Sequence, residues 1–178
     1  MDKIETSIPG CFELQPRIFK DSRGKLIKTF HKDSFAALDL ETDFKEEYYS
    51  VSKKGVLRGL HFQLPPADHV KCVTCISGKI FDVVVDLRKD SPTYKQHFSI
   101  ELDDEKGNML YIPRGLAHGF YVLSEKAIFL NRTTTVYEPS CDTGIKWDSC
   151  NISWPIENPI LSIKDQQMIE LSNFKSPF

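Results

Sequence analysis

The sequence predicts an all-β protein, arranged as an antiparallel sandwich or barrel. Between residues 48 and 135, eight short stretches rich in β-branched and aromatic residues alternate with turn sequences such as Ser77-Gly78-Lys79. Many short strands at close spacing are typical of sandwiches and barrels. The predicted strands cover residues 48–52, 56–62, 70–76, 80–87, 98–102, 109–112, 120–123 and 127–135.

Two short helices are predicted beside these strands. One covers residues 34–40 and is capped by Asp33 or Ser34, because short polar side chains accept hydrogen bonds from the free amides at a helix start. The other is expected to begin near Ser162. A chain of 178 residues can bury a core, and this one has no internal repeat, linker or low-complexity tract. We therefore expect one domain over residues 1–178.

Composition argues against several classes of partner. The formal net charge is −2 and the isoelectric point is about 6.2, so no nucleic-acid partner is predicted. No apolar run approaches the roughly 20 residues of a membrane-spanning helix, and residues 1–5 lack the apolar region of a signal peptide. We expect a soluble, cytoplasmic protein with no membrane partner.

The five cysteines predict neither disulfides nor a zinc site. Cys72 and Cys75 have the spacing of a metal-binding pair, but residues three apart in a strand point to opposite faces. No second pair of this kind completes a zinc site. We expect buried, reduced cysteines.

Two histidine-containing stretches carry the strongest functional signal. His61 lies three residues after Arg58, and His118 lies in a similar apolar stretch. Histidine exchanges protons near neutral pH, and arginine binds anions such as phosphate. In a regular strand Arg58 and His61 leave in different directions, but a bulge at Gly59 would bring them together. This pattern indicates acid–base chemistry on a phosphorylated small molecule.

The same stretches resemble a known family. Arg-Gly-Leu-His-Phe-Gln at 58–63, the run from Asp to Tyr at 82–94, Ile-Pro-Arg-Gly-Leu-Ala-His-Gly-Phe at 112–120 and Ser-Ile-Lys-Asp at 162–165 are similar to motifs of the nucleotide-sugar 3,5-epimerases. The resemblance runs from about residue 8 to residue 165. It implies a cupin-like jelly-roll barrel with a few short helices, and a homodimer in which an early strand reaches the neighbouring subunit. The implied partner is a nucleotide-diphospho-sugar substrate.

The resemblance also implies roles for single residues. His61 is similar to the catalytic base, Asp165 to the carboxylate that orients it, and Lys71 to the cation that stabilises an enolate. Asp82 matches a family aspartate and is read equally well as a structural carboxylate. The positions similar to nucleotide- and substrate-binding residues of the family are Arg23, Lys28, Glu46, Tyr48, Ser50, Arg58, His118, Asp142 and Lys164.

The expected chemistry uses neither a cofactor nor a metal. The substrate brings its own activating ketone, so no redox group is required. Residues 113–118 look like half of a cupin metal motif, but the His-x-His pair of the other half is absent from residues 59–63.

Asn131 departs from the family at the catalytic acid. Family members have a tyrosine there, which faces the base and reprotonates the enolate. A carboxamide donates hydrogen bonds but is no practical proton donor, so the usual acid is missing. Three outcomes stay open: another acid such as Tyr137, Tyr121 or water; epimerisation at only one of the two carbons beside the ketone; or loss of catalysis.

The nucleotide-binding segment departs as well. The family pattern Gln-x-Asn-x-Ser-x-Ser corresponds here to Glu46, Tyr48, Ser50 and Ser52. A carboxylate only accepts hydrogen bonds, so Glu46 suits the two N–H donors of guanine, and Tyr48 can stack on a base. A family glutamate is also replaced by Lys28.

The resulting hypothesis is an isomerase of capsule or lipopolysaccharide synthesis. It inverts C3, with C5 left open, of a nucleotide-diphospho-4-keto-6-deoxy-sugar, and the sequence favours a GDP-linked heptose over a dTDP-linked sugar. The alternatives are a dTDP-4-dehydrorhamnose 3,5-epimerase acting at both carbons, a sugar-nucleotide ketoisomerase, and a catalytically silent sugar-nucleotide-binding protein.

Overall fold

The computed structural model describes residues 1–156 and 158–178 and confirms the all-β prediction. Two helices of five and four residues accompany the strands in this part of the chain, α1 (Lys32–Ala36) and α2 (Ile163–Gln166). The strands in chain order are β1 (Asp2–Glu5), β2 (Phe12–Gln15), β3 (Ile18–Asp21), β4 (Gly24–Ile27), β5 (Glu46–Lys53), β6 (Leu57–Gln63), β7 (Lys71–Ser77), β8 (Lys79–Asp86), β9 (His97–Asp103), β10 (Met109–Ile112), β11 (Leu116–Val122), β12 (Lys126–Thr133) and β13 (Asp142–Gly144).

Most of the strands form two antiparallel sheets. The larger sheet has the order β1-β2-β10-β7-β12-β5, and the smaller has the order β13-β6-β11-β8-β9. Strands far apart in sequence are neighbours in both sheets, as in a jelly roll. The predicted jelly roll is thus confirmed as a two-sheet sandwich; the described strands do not close into a barrel. Strands β3 and β4 stand apart as a separate hairpin.

The main core fills the space between the two sheets. Inward residues alternate with outward ones along each strand, so each sheet contributes every second side chain to this layer. Removing these apolar side chains from water is the main stabilising contribution of this layer. The buried members are Ile8, Cys11, Val73, Cys75, Ile80, Val84, Leu102, Leu110, Ile112, Leu116, Phe120, Val122, Ala127 and Phe129.

Two further clusters cover the outer faces of the sheets. Cys72 lies in the cluster behind the larger sheet, which also contains Phe35 of α1. Cys75 lies in the main core, so the two thiols diverge as predicted, and all five cysteines are free. The cluster behind the smaller sheet joins Leu60 and Phe62 to the C-terminal segment around Leu171. These clusters hold the N- and C-terminal segments against the sandwich.

The first helix begins and ends earlier than predicted. It covers Lys32–Ala36 rather than 34–40, and its cap is His31 rather than Asp33 or Ser34. The ring nitrogen Nδ1 of His31 accepts from the backbone N–H of Ser34 at 3.4 Å and takes the place of a short polar side chain. The second helix is capped by Ser162, as predicted.

Five strands escaped prediction: β1 to β4 and β13. All four residues of β1 are exposed, and β3 and β4 face mostly solvent. None of these three strands therefore carries the alternating apolar pattern of a half-buried strand. Instead, β1 forms by backbone pairing with β2, β3 and β4 pair with each other in the hairpin, and β13 pairs with β6. In the described part of the chain, no helix is long and apolar enough to cross a membrane.

Candidate active site

Two adjoining cavities share Tyr48, His61 and Lys71 as lining residues. The larger has a volume of about 340 Å³ and the smaller about 190 Å³. The other lining residues of the larger cavity are Glu46, Phe62, Gln63, His69, Thr133, Tyr137, Asp142 and Lys164. Other residues of the smaller cavity are Ser50, Arg58, His118, Phe120, Phe129 and Asn131.

Ten of the thirteen predicted site residues line one or both cavities, and the exceptions are Asp165, Arg23 and Lys28. Side chains able to act as base, cation and anion-binding group therefore converge at one place.

A bulge in β6 brings Arg58 and His61 to the same cavity. His61 pairs with His118 on β11, but Phe120 pairs with Arg58, where a regular ladder would place Gly59. Gly59 has φ +136°, which favours glycine, and an added Cβ would lie 2.5 Å from the Cα of Gly119 on β11. The bulge that was predicted to be necessary for Arg58 and His61 to meet is therefore present in β6.

His61 and Asp165 form a close pair. The ring nitrogen Nε2 of His61 lies 2.5 Å from Oδ1 of Asp165, and the Asp165 side chain is buried. Ser162 caps α2, because its hydroxyl oxygen accepts a hydrogen bond from the backbone N–H of Asp165 at 3.0 Å. This cap fixes the start of the helix beside the His61–Asp165 pair. Because an ionised carboxylate only accepts, the ring carries its proton on Nε2 and leaves Nδ1 with a free lone pair.

The electrostatics of Asp165 favour its ionised form. Burial alone would raise the pKa of this carboxyl group. The hydrogen bond and charge of His61, together with the contact to Ser162, outweigh burial and hold the pKa below its ordinary value. The pair is therefore suited to stabilise a protonated imidazole.

Lys71 stands at the start of β7 with its ammonium group inside the site. Its side chain is buried, and Nζ donates to the main-chain carbonyl of His61 at 3.1 Å. Burial lowers its pKa from 10.5 to about 8, because an apolar environment disfavours the charged form. The residue is still mostly protonated at neutral pH and can stabilise a developing negative charge.

His118 forms a second, deeper pair with Asp82. Its Nε2 lies 3.0 and 2.9 Å from the two carboxylate oxygens, and its ring stacks on Phe129 with centroids 5.8 Å apart. Burial lowers the pKa of His118 and raises that of Asp82. Asp82 contacts His118 and lines neither cavity, so its position fits the structural reading.

Asn131 and Tyr48 are direct partners across β12 and β5. Nδ2 of Asn131 donates to the hydroxyl oxygen of Tyr48 at 2.6 Å. Asn131 is 3% exposed, and its Oδ1 is buried without a partner among the described residues. The family position of the acid is thus occupied by an amide that holds a phenol from the neighbouring strand.

Asp142 connects two other residues of the larger cavity. It accepts from Nζ of Lys164 and from the hydroxyl of Tyr137, the latter at 3.1 Å.

Arg58 is oriented by a hydrogen bond from its Nε to Oγ of Ser52 at 3.0 Å.

Arg23 and Lys28, predicted to bind the substrate, line neither of these two cavities. Both line a separate surface depression at the β3–β4 hairpin, and Arg23 pairs with Asp21 in solvent. Tyr121, considered as a substitute acid, lines neither cavity. It lies on the face of β11 opposite to His118 and Phe120.

Sequence reasoning missed Gln63 and His69 as lining residues. Gln63 accepts from the backbone N–H of Glu138 at 2.7 Å and donates to the carbonyl of Ala67 at 2.8 Å. Burial lowers the pKa of His69 to about 3, so this ring is neutral. Each lies two residues from a predicted site residue, His61 or Lys71, and the two-residue period of a strand was the available signal.

Comparison with known proteins identifies the family. Residues 5–173 match the family model described as dTDP-4-dehydrorhamnose 3,5-epimerase. The chain belongs to the dTDP-4-dehydrorhamnose 3,5-epimerase family. It is 43% identical over 168 residues to the dTDP-4-dehydrorhamnose 3,5-epimerase of Shigella flexneri, covering 93% of each chain. It is 36% identical to the dTDP-4-dehydrorhamnose 3-epimerase of Streptomyces niveus, covering 93% of this chain and 81% of the relative.

A solved structure of the same family has the same fold. The Legionella pneumophila 3,5-epimerase in complex with dTDP-4-keto-L-rhamnose aligns with a TM-score of 0.93 and 36% identity, covering 98% of this chain and 94% of the other. The predicted family and enzyme class, a nucleotide-sugar epimerase, are therefore confirmed. The prediction of a GDP-linked heptose is not supported, because the family and these relatives are described with dTDP-linked sugars.

Proposed function

We propose that the chain epimerises a dTDP-linked 4-keto-6-deoxyhexose at C3 and C5, the reaction named for its 3,5-epimerase relatives. The observation that carries this proposal is the 2.5 Å pair of His61 and Asp165 beside the buried ammonium of Lys71. A base and a cation in one cavity suit removal of a proton next to a ketone.

The proposed first half-reaction uses these three residues. The free ring nitrogen of His61 takes a proton from the carbon beside the C4 ketone, and Asp165 stabilises the imidazolium. The electron pair moves onto the ketone oxygen, where Lys71 stabilises the enolate. Reprotonation from the opposite face inverts the carbon, and no redox group is needed because the substrate supplies the ketone.

The binding roles follow from the charges of the cavities. Arg58, with His118 beside it, is proposed to hold the diphosphate. Glu46, Asp142 and Lys164 line the larger cavity and Ser50 lines the smaller one, and these four residues are proposed to bind the nucleotide side of the substrate.

We propose a homodimer in which Arg23 and Lys28 serve the neighbouring subunit. Their hairpin is a separate two-stranded sheet with exposed apolar residues, Phe19 at 45% and Leu26 at 56%. Mixing inactive His61→Ala and Arg23→Ala subunits would then restore about a quarter of the wild-type activity, since half of the dimers are mixed and each has one intact site. No recovery after subunit exchange would contradict the shared site.

Proton NMR in heavy water tests the proposed reaction. The enzyme is incubated with dTDP-linked and GDP-linked 4-keto-6-deoxy sugars, and deuterium is followed at C3 and C5. Deuterium and inversion at both carbons of the dTDP-linked sugar are expected. Exchange at C3 alone would restrict the reaction to one carbon. A preference for the GDP-linked sugar would contradict the proposed dTDP-linked substrate. No exchange with either sugar would favour a silent binding protein.

A further inference from the structure

Stacking on a nucleotide base would use the ring of Tyr48 and leave its hydroxyl group without a role. Tyr48 lines both cavities together with His61 and Lys71. Its hydroxyl oxygen accepts from Asn131 at 2.6 Å. Since the oxygen is the acceptor in this bond, the phenolic proton is not used in it.

Tyr48 and His61 approach the shared space from different sheets. Tyr48 belongs to β5 of the six-stranded sheet, and His61 belongs to β6 of the five-stranded sheet. Inversion of a carbon requires that one group removes a proton from one face and another group delivers a proton to the other. Because the two residues reach the same cavities from different sheets, they can serve the two faces of one carbon.

We propose that Tyr48 is the general acid that reprotonates the enolate. This inference rests on the proposed epimerase function. The phenol gives its proton to the carbanionic carbon as the C–H bond forms, and the electron pair of the broken O–H bond stays on the phenolate. Asn131 stabilises that phenolate through its N–H, as a positioning residue. Solvent then returns a proton to Tyr48 and removes one from His61, so the protons balance.

The surroundings of Tyr48 agree with this role. Tyr48 is 48% exposed, and the buried part of its side chain raises the pKa of the phenol, while the bond from Asn131 acts in the opposite direction. The family pattern has asparagine at position 48 and tyrosine at position 131, so this chain carries the same two residue types in exchanged places on neighbouring strands. Tyr137 is a weaker candidate, because its hydroxyl proton is donated to Asp142.

The Tyr48→Phe variant tests the proposal, because it removes the hydroxyl and keeps the ring. In heavy water with the dTDP-linked ketosugar, inversion is expected to fall by about 10²–10³-fold. His61 still forms the enolate and returns a solvent deuteron to the same face, since its side chain is 32% exposed. Deuterium should therefore enter unconverted substrate at nearly the wild-type rate.

Three results would overturn the assignment. If Tyr48→Phe inverts the sugar at the wild-type rate, the ring serves only to stack on the nucleotide base. An equal loss of exchange and inversion would indicate a structural role. Selective loss of inversion in Tyr137→Phe instead would move the acid to that residue.

Two further variants sharpen the test. Tyr49→Phe is the matched control on the same strand, since Tyr49 is 66% exposed and lines neither cavity. The double variant Tyr48→Asn with Asn131→Tyr returns the phenol to β12 and is expected to recover at least part of the inversion. If the wild-type enzyme itself shows no exchange, the proposed function fails, which is distinct from failure of the acid.

Discussion

The ammonium group of Lys71 donates to the main-chain carbonyl of His61 at 3.1 Å. This bond joins the two sheets at the point where the base is held, because Lys71 begins β7 and His61 lies in β6. The cation that would stabilise the enolate is thus fixed to the backbone of the residue that would create it.

The protonation of Lys71 predicts an alkaline limit to activity. Its pKa is lowered to about 8, so the free enzyme loses the ammonium as the pH rises through this value. We expect kcat/KM to fall about tenfold per pH unit above pH 8. The Lys71→Arg variant keeps a charge at all these pH values and should lack this limb. A profile that stays flat to pH 9.5 in the wild type would contradict the prediction.

The buried charge of Lys71 also predicts a stability effect. The unfolded chain binds this proton up to about pH 10.5, whereas the folded chain releases it near pH 8, so the wild type gains stability between these values as the pH rises. At pH 7 the lowered pKa corresponds to about 3 kcal/mol against folding. We expect Lys71→Met to unfold at higher urea than the wild type at pH 7, with a smaller difference at pH 10.

Removing the carboxylate beside the base should slow catalysis without unfolding the protein. In Asp165→Asn the amide no longer stabilises the imidazolium and can hold the wrong tautomer. We expect kcat to fall by about 10²–10⁴-fold with KM nearly unchanged. Steady-state kinetics at pH 7.5 measures both constants. A rise in KM with normal kcat would mean that Asp165 acts in binding.

Arg58 should contribute mainly to substrate binding. Loss of a charged hydrogen-bond donor to the diphosphate costs about 1.5–3 kcal/mol, so Arg58→Ala should raise KM by about 10–100-fold. Arg114→Ala is the control, because Arg114 lies in the second histidine stretch but lines neither cavity. Equal effects of both substitutions would argue against a specific anion contact.

Gly59 should be required for the bulge in β6. Gly59→Ala places a methyl group 2.5 Å from the Cα of Gly119, and we expect about 1–3 kcal/mol of destabilisation beyond the strain of the positive φ. Gly24→Ala is the matched control, since its φ is +122° with no atom near the added Cβ. Urea unfolding of both variants measures the difference. Similar losses would show that crowding against β11 is unimportant.

The local pattern of the chain was sufficient for most of the sheet structure. Alternation predicted the strands that become β5 to β12, because each buries one face and therefore repeats every two residues. It failed for β1, β3 and β4, whose exposure leaves no such repeat, and for β2 and β13, which are only four and three residues long. The cap at His31 was missed because an imidazole nitrogen takes the place of a short polar side chain.

The sequence by itself determined the fold class, the family and the chemical types present: a histidine base, its carboxylate, a lysine and an arginine. These features follow from the order and spacing of residues along the chain, and they require no knowledge of which segments meet in space. Only the tertiary structure decided which groups meet. The register of β5 against β12 placed Tyr48 on Asn131, and the hairpin left Arg23 outside the cavity of its own chain. Contacts between distant strands depend on pairing and on bulges, and these are fixed by the packing of the whole sandwich rather than by any single segment.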